Sequence, residues 1–168
     1  MKLFRRVFLI VILIVAGLWI RATFFPNPES AIRKRLTEIA RNASTAPGEG
    51  NITGTAHAWR LANCFTTNAE FKIEWPEGRM EETLDRNELI RYINGLRFGA
   101  GRSSRIEFLD PTIAFSEDKK ISTVEATLRA TIPADKNFIV QEIKIIFIKV
   151  GRDWLIQRVE TLKTLASL

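Results

Sequence analysis

The chain has 168 residues, 46% of them hydrophobic and 26% charged, enough for one domain with its own core and no need of cross-links. Its net charge of +6 is local: Lys2, Arg5, Arg6 and Arg21 flank an acid-free apolar run, and removing those four from the 25 bases leaves 21 against 19 acids. That near balance argues against a nucleic-acid partner, and the single cysteine, Cys64, excludes an internal disulfide and a cysteine-built zinc site.

The apolar run is Val7–Ile20 (VFLIVILIVAGLWI). Its fourteen residues fall short of the ~20 a helix needs to cross a bilayer. Leu3, Phe4, Ala22, Phe24 and Phe25 lengthen it, because Arg5, Arg6 and Arg21 can extend their charged heads to the interfaces. A cleaved signal peptide has an apolar core of similar length, but Leu18–Phe25 (LWIRATFF) offers no small-residue cleavage site. The sequence therefore predicts a tail over 1–6, a retained single-pass anchor over 7–25 and one domain over 26–168. The bases of MKLFRR favour a cytoplasmic tail and a domain outside the cytoplasm, periplasmic in a bacterium, although Arg33, Lys34 and Arg35 weaken the bias.

Pro26-Asn27-Pro28-Glu29 reads as a helix start, with Asn27 as cap, Pro28 at the first turn and Glu29 at the positive end of the dipole. Ile32, Leu36, Ile39 and Ala43 then recur at helical spacing, opposite a basic face of Arg33, Lys34, Arg35 and Arg41 that can rest on anionic lipid. Residues 44–54 (STAPGEGNITG) read as loop. Asn42-Ala43-Ser44 and Asn51-Ile52-Thr53 match the glycosylation tripeptide, which matters only in a secretory lumen.

A second helix is expected over Thr55–Phe65 and a strand over Ala69–Trp75, returning after Pro76-Glu77-Gly78 through Arg79–Leu84. Asp85 and Glu88 form a capping box for a third helix striped by Leu89, Ile90, Ile93 and Leu96. Phe98–Ser104 (FGAGRSS) follows a helix and precedes a strand, the wrong order for a phosphate loop, and reads as a connector. Four strands follow at 104–116, 121–132, 138–150 and 153–162, with polar turns at Glu117–Lys120, Pro133–Asn137 and Gly151–Asp153.

This order resembles the nuclear transport factor 2-like (cystatin-like cone) superfamily. Leu61–Trp75, Arg86–Leu96 and Ile145–Val159 carry the likeness, which spans most of residues 29–165. It implies an α+β fold in which three helices pack on a curved, mostly antiparallel sheet to form a cone. The superfamily includes isomerases, cyclases, dehydratases and pocket proteins without known activity, so fold alone assigns no reaction. Membrane-anchored members occur in bacterial secretion machines.

In the isomerase-like members a carboxylate near the end of the first strand is the base. A match through Pro76 puts Trp75 there, with Glu74 one residue away and turned to the other face. Tyr92, the sole tyrosine, lies on the third helix and not the first, so the isomerase constellation does not carry over. His57 is the sole histidine, and Cys64 is about 10 Å further along the helix, too far for a thiol–imidazole pair.

Glu125, Arg129 and Glu142 share alternation faces with Thr123, Thr127, Thr131 and Lys144. They either pair across strands on a wet outer face or line a polar pocket together with Glu74, Trp75 and Tyr92. Arg86, Arg91, Arg97, Arg102 and Arg105 suggest a basic rim, with Arg91 close enough to the apolar stripe to pair inside. No residue pattern implies a metal or cofactor. The expectation is a membrane-anchored, non-catalytic binding or assembly module that meets a protein partner or a second copy through its sheet. A cofactor-free lyase or isomerase, or a carrier of a small apolar ligand in the cone, is the alternative.

Overall fold

A computed structural model describes Ile12 and residues 27–75, 78–99, 103–132 and 137–162. Apart from Ile12, the expected tail and anchor lie outside the described residues. Among those described, no helix is long and apolar enough to cross a membrane.

The domain opens with α1 (Pro28–Ala43). Asn27 Oδ1 accepts from the Glu29 N–H at 3.0 Å, and Pro28 fills the first turn, where no N–H is needed. Its buried stripe is Ile32, Leu36, Ile39 and Asn42. The next helix, α2, spans Asn51–Ala62, one turn earlier than its composition suggests and three residues shorter at its end. Gly50 stands at its N-cap without a side-chain bond. Packing of Gly54, Ala58, Leu61 and Ala62 into the core outweighs the weak helix propensity of Asn51-Ile52-Thr53-Gly54.

The chain then passes directly into β1 (Phe65–Trp75), longer than expected, because Phe65 already pairs with the last strand. After β2 (Gly78–Asp85) comes α3 (Arg86–Gly99). The predicted capping box is present in both directions: the Glu88 N–H donates to Asp85 Oδ1 and the Asp85 N–H to Glu88 Oε2, both at 2.9 Å. The strands β3 (Arg105–Phe115), β4 (Ile121–Ile132), β5 (Asn137–Val150) and β6 (Asp153–Thr161) complete the domain. Gly151 supplies the positive φ of +63° that the β5–β6 turn needs.

The six strands form one sheet in the order β2-β1-β6-β5-β4-β3. All neighbours are antiparallel except β1 and β6, which run parallel. A bulge between Leu109 and Thr112 bends β3, with Asp110 at φ +49° before Pro111. The helices cover one face of the sheet. Between the two layers lie Ile32, Ala58, Val124, Ile145, Phe147, Trp154 and Ile156, all buried, and Phe115 meets Trp154 edge-on, ring centres 5.8 Å apart.

Candidate functional site: an apolar cone cavity

Strand alternation sends every second side chain toward the helices. Toward the ends of β1, β4 and β6 and the starts of β3 and β5, these are Phe71, Ile73, Leu128, Val159, Ile106, Phe108, Ile143 and Ile145. With Ile39 and Ala43 of α1, Leu61 of α2, and Ile93 and Leu96 of α3, they enclose a cavity of about 420 Å³. Phe65 and Ile156 also line it, and the rings of Phe65 and Phe71 lie 5.6 Å apart. Leu96, 73% exposed, marks the mouth. Thr45, Ser104 and Arg97 are the polar contributors to the described wall. Thr45 and Ser104 face each other in an isolated antiparallel bridge, with backbone bonds of 2.9 and 3.0 Å.

Arg97 is not part of a basic surface, as its neighbours in sequence suggested. It stands four residues after Ile93 and eight after Leu89 on the buried stripe of α3, and is itself buried. Its Nη1 donates to the Asn42 carbonyl at 2.6 Å and its Nη2 to the Ser44 carbonyl at 3.1 Å. Nη2 also pairs with the Glu49 carboxylate, while Nε has no partner. Burial alone would raise the Glu49 carboxyl. The bond from Arg97, the Ala46 N–H, and the charges of Arg97 and His57 outweigh that and hold it below its ordinary value. Behind this pair, His57 Nδ1 lies 3.0 Å from Asn42 Oδ1, a contact in which the Nδ1–H tautomer donates. Asn42 is fully buried, so the first glycosylation tripeptide is inaccessible in the folded chain.

The other sequence candidates lie elsewhere. Glu125 and Arg129 are exposed on the outer face of β4, and Glu142 on that of β5, away from the cavity. Glu125 stands opposite Thr112 and Lys144, and the guanidinium of Arg129 lies 5.5 Å from the Phe138 ring centre. Glu74, on the outer face of β1, is 3.7 Å from Arg79 Nε, and its N–H donates to Thr161 Oγ1 at 2.7 Å. Trp75 closes β1 opposite Gly78. Tyr92 is exposed on α3, its hydroxyl 3.3 Å from Glu82 Oε2. The structure therefore brings Glu125 and Glu142 together, in a shallow outer-face recess beside Asp110 and Thr127, and places Glu74, Trp75, Tyr92 and Arg129 apart from it.

Of the expected basic rim, Arg105 is exposed and paired with Glu107 at 2.9 Å. Arg86 is half-buried, with its Nε unpartnered. Arg91 is exposed and does not pair inside, because its position on α3 turns it away from the sheet. Arg102 lies outside the described residues.

The outer face carries a row of alternating charge. Register places Glu125, Lys144, Glu160, Lys72 and Glu81 side by side across β4, β5, β6, β1 and β2. Lys144 Nζ meets Glu160 at 2.9 Å and Lys72 Nζ meets Glu81 at 2.6 Å. Two residues along, on the same face, Arg158 Nη2 meets Glu70 at 2.6 Å. These pairs belong to a wet outer face, but among the described residues Glu125, Arg129 and Glu142 make no ion pair in it.

No family model and no curated protein matches the sequence. Solved structures do match the fold. An NTF2-like protein with a cystatin-like fold from Novosphingobium aromaticivorans superposes with a TM-score of 0.65 at 14% identity, covering 90% of this chain and 91% of that one. A putative scytalone dehydratase from the same species gives 0.60 at 15% identity, over 82% and 84%. A protein of unknown function with a cystatin-like fold from Nostoc punctiforme gives 0.59 at 14% identity, over 83% and 95%. At such identities the likeness is one of architecture.

Proposed function

Given a nuclear transport factor 2-like fold, three helices on a six-stranded mixed sheet, we propose a non-catalytic binding module that takes an apolar ligand into its cone and is held at a membrane by residues 7–25. The observation that carries this reading is the cavity wall. None of its described residues is a carboxylate, histidine or tyrosine, and its single cation, Arg97, is committed to Glu49 and to two backbone carbonyls. An apolar concave wall recognises a ligand by excluded water and shape.

A cofactor-free lyase or isomerase is the second reading, favoured by the likeness to a putative scytalone dehydratase. It needs an acid–base group reaching the cone, which the described wall does not offer. The charge row supports ligand binding over assembly through the sheet, because its pairs are satisfied within one chain. Membrane placement is supported by the Val7–Ile20 run and its flanking bases.

The test is titration of the full chain, in lipid nanodiscs, with the uncharged fluorophore N-phenyl-1-naphthylamine. Wild type and the cavity-filling variants Ile143→Trp and Leu128→Trp are compared in identical discs, so that partition into lipid cancels. A saturable enhancement in wild type that falls at least about tenfold in affinity in whichever variant keeps its native unfolding transition is expected, as a filled pocket removes over a kcal/mol of contact. Indistinguishable titrations would sink the reading.

A further inference from the structure

The cavity mouth occupies one end of the cone, and the opposite end is built quite differently. There the first turns of α1 meet the β5–β6 turn: Arg35 Nη2 lies 3.3 Å from Asp153 Oδ1. Ala31, Lys34, Arg152 and Trp154 surround that contact. The Lys149 N–H donates to the Lys120 carbonyl at 2.8 Å, which brings the β3–β4 turn alongside. Three elements thus share one tip.

Charge at this tip is unevenly satisfied. Glu38 and Asp153 are both held by Arg35, and Asp118 by Lys120. Lys34, Lys119, Lys149 and Arg152 are exposed and, among the described residues, have no ion-pair partner, with Glu117 the uncompensated acid near them. Beside these bases, Ile121 and Val150 stand 45% and 50% exposed at the strand ends. Bases that reach outward around exposed apolar residues suit the boundary between anionic headgroups and acyl chains.

The direction of the chain adds an independent observation. Helix α1 meets this tip through Ala31, Lys34 and Arg35 and reaches the cavity wall further along, at Ile39 and Ala43, so its N-terminal end at Pro28 lies on the tip side. The apolar N-terminal segment ends at Phe25, three residues before Pro28, so a bilayer holding that segment is tethered to the tip and not to the mouth.

We infer that the tip formed by Lys34, Lys119, Lys149 and Arg152 with Ile121 and Val150 docks on an anionic bilayer surface, so that the cone stands with its mouth turned away from the lipid. The inference rests on the anchoring proposed above for residues 7–25, and the two are separable by experiment.

The full chain is mixed with phosphatidylglycerol-containing or pure phosphatidylcholine vesicles carrying brominated lipid. Single environment-sensitive labels are placed natively at Val150→Cys or Leu96→Cys, with Cys64 buried. Strong quenching at 150 in the anionic vesicles is expected. It should lose most of its amplitude in pure phosphatidylcholine and in Lys34→Gln/Lys119→Gln/Lys149→Gln/Arg152→Gln, with no quenching at 96. Equal quenching at both positions, or quenching at 150 indifferent to lipid charge, overturns the docking while flotation of the protein with vesicles in high salt keeps the anchor. Flotation with anionic vesicles in low salt only, with 150 quenched, keeps the docking and removes the anchor. No flotation in either salt removes both.

Discussion

Arg97 and Glu49 form an ion pair from which water is nearly excluded, their side chains 3% and 8% exposed. Removing one partner strands the other charge in a dry site. Arg97→Met should therefore cost about 3–5 kcal/mol of stability, and Arg97→Met/Glu49→Leu should recover much of it. Denaturant unfolding of both variants measures the difference, and a double variant no more stable than the single one would show that the charges are not the cause.

The same pair gives the protein an acid limb. The folded Glu49 carboxyl lies below its ordinary value of 4.5, so its contribution is complete above that value. It drains away as pH falls through the lower folded one. Thermal unfolding followed from neutral to acid pH should show a steeper loss of stability in wild type than in Glu49→Gln. Parallel curves would place the acid sensitivity in other carboxylates.

On the outer face, Lys144 has Glu125 on one side and Glu160 on the other, while Glu160 also borders Lys72. Exchanging a lone ion pair restores it. Here Lys144→Glu/Glu160→Lys puts a carboxylate beside Glu125 and an ammonium beside Lys72. The exchange should leave the protein about 0.5–1 kcal/mol less stable at low salt, with the deficit shrinking as salt is added. Unfolding midpoints at two ionic strengths give the answer, and full restoration by the exchange would show that the row acts as isolated pairs.

Cys64 is buried, its Sγ 3.4 Å from the Arg60 carbonyl. Burial first, and then the charge of Glu38, push its thiol above the ordinary value, against the pull of Arg35. The thiolate that reacts is thus scarce and shielded. Native protein should resist an aromatic disulfide reagent at neutral pH and release one equivalent of thiol on unfolding. Rapid native labelling would contradict the burial.

Much of this architecture can be read from the chain because its signals are local. Asn27-Pro28, the Asp85–Glu88 box and the Gly151 turn each fix an element end within a residue or so. The start of α2 is hidden because Asn51, Thr53 and Gly54 are poor helix formers, and tertiary packing decides there. The cavity is implied by the alternation of Phe71 with Ile73, Ile106 with Phe108 and Ile143 with Ile145, but alternation does not say which polar face looks outward. Cross-strand register answers that, and pairing of Glu125 with Lys144 is not visible in either strand alone. The burial of Arg97 did leave a trace: it extends the Leu89–Ile93 stripe by one more helical turn, and Glu49 is the lone charge in an otherwise neutral loop.

The parallel seam between β1 and β6 has a kinetic consequence. Phe71 pairs with Val159, and Glu70 with Arg158, so the β1–β2 hairpin joins the sheet only through β6, which is synthesised after the other five described strands. Contacts so distant in sequence close slowly. Until Asp153–Thr161 arrives, β1 and β5 each present an open apolar edge, the state most exposed to mispairing and aggregation. The last strand is therefore the clasp of the whole sheet.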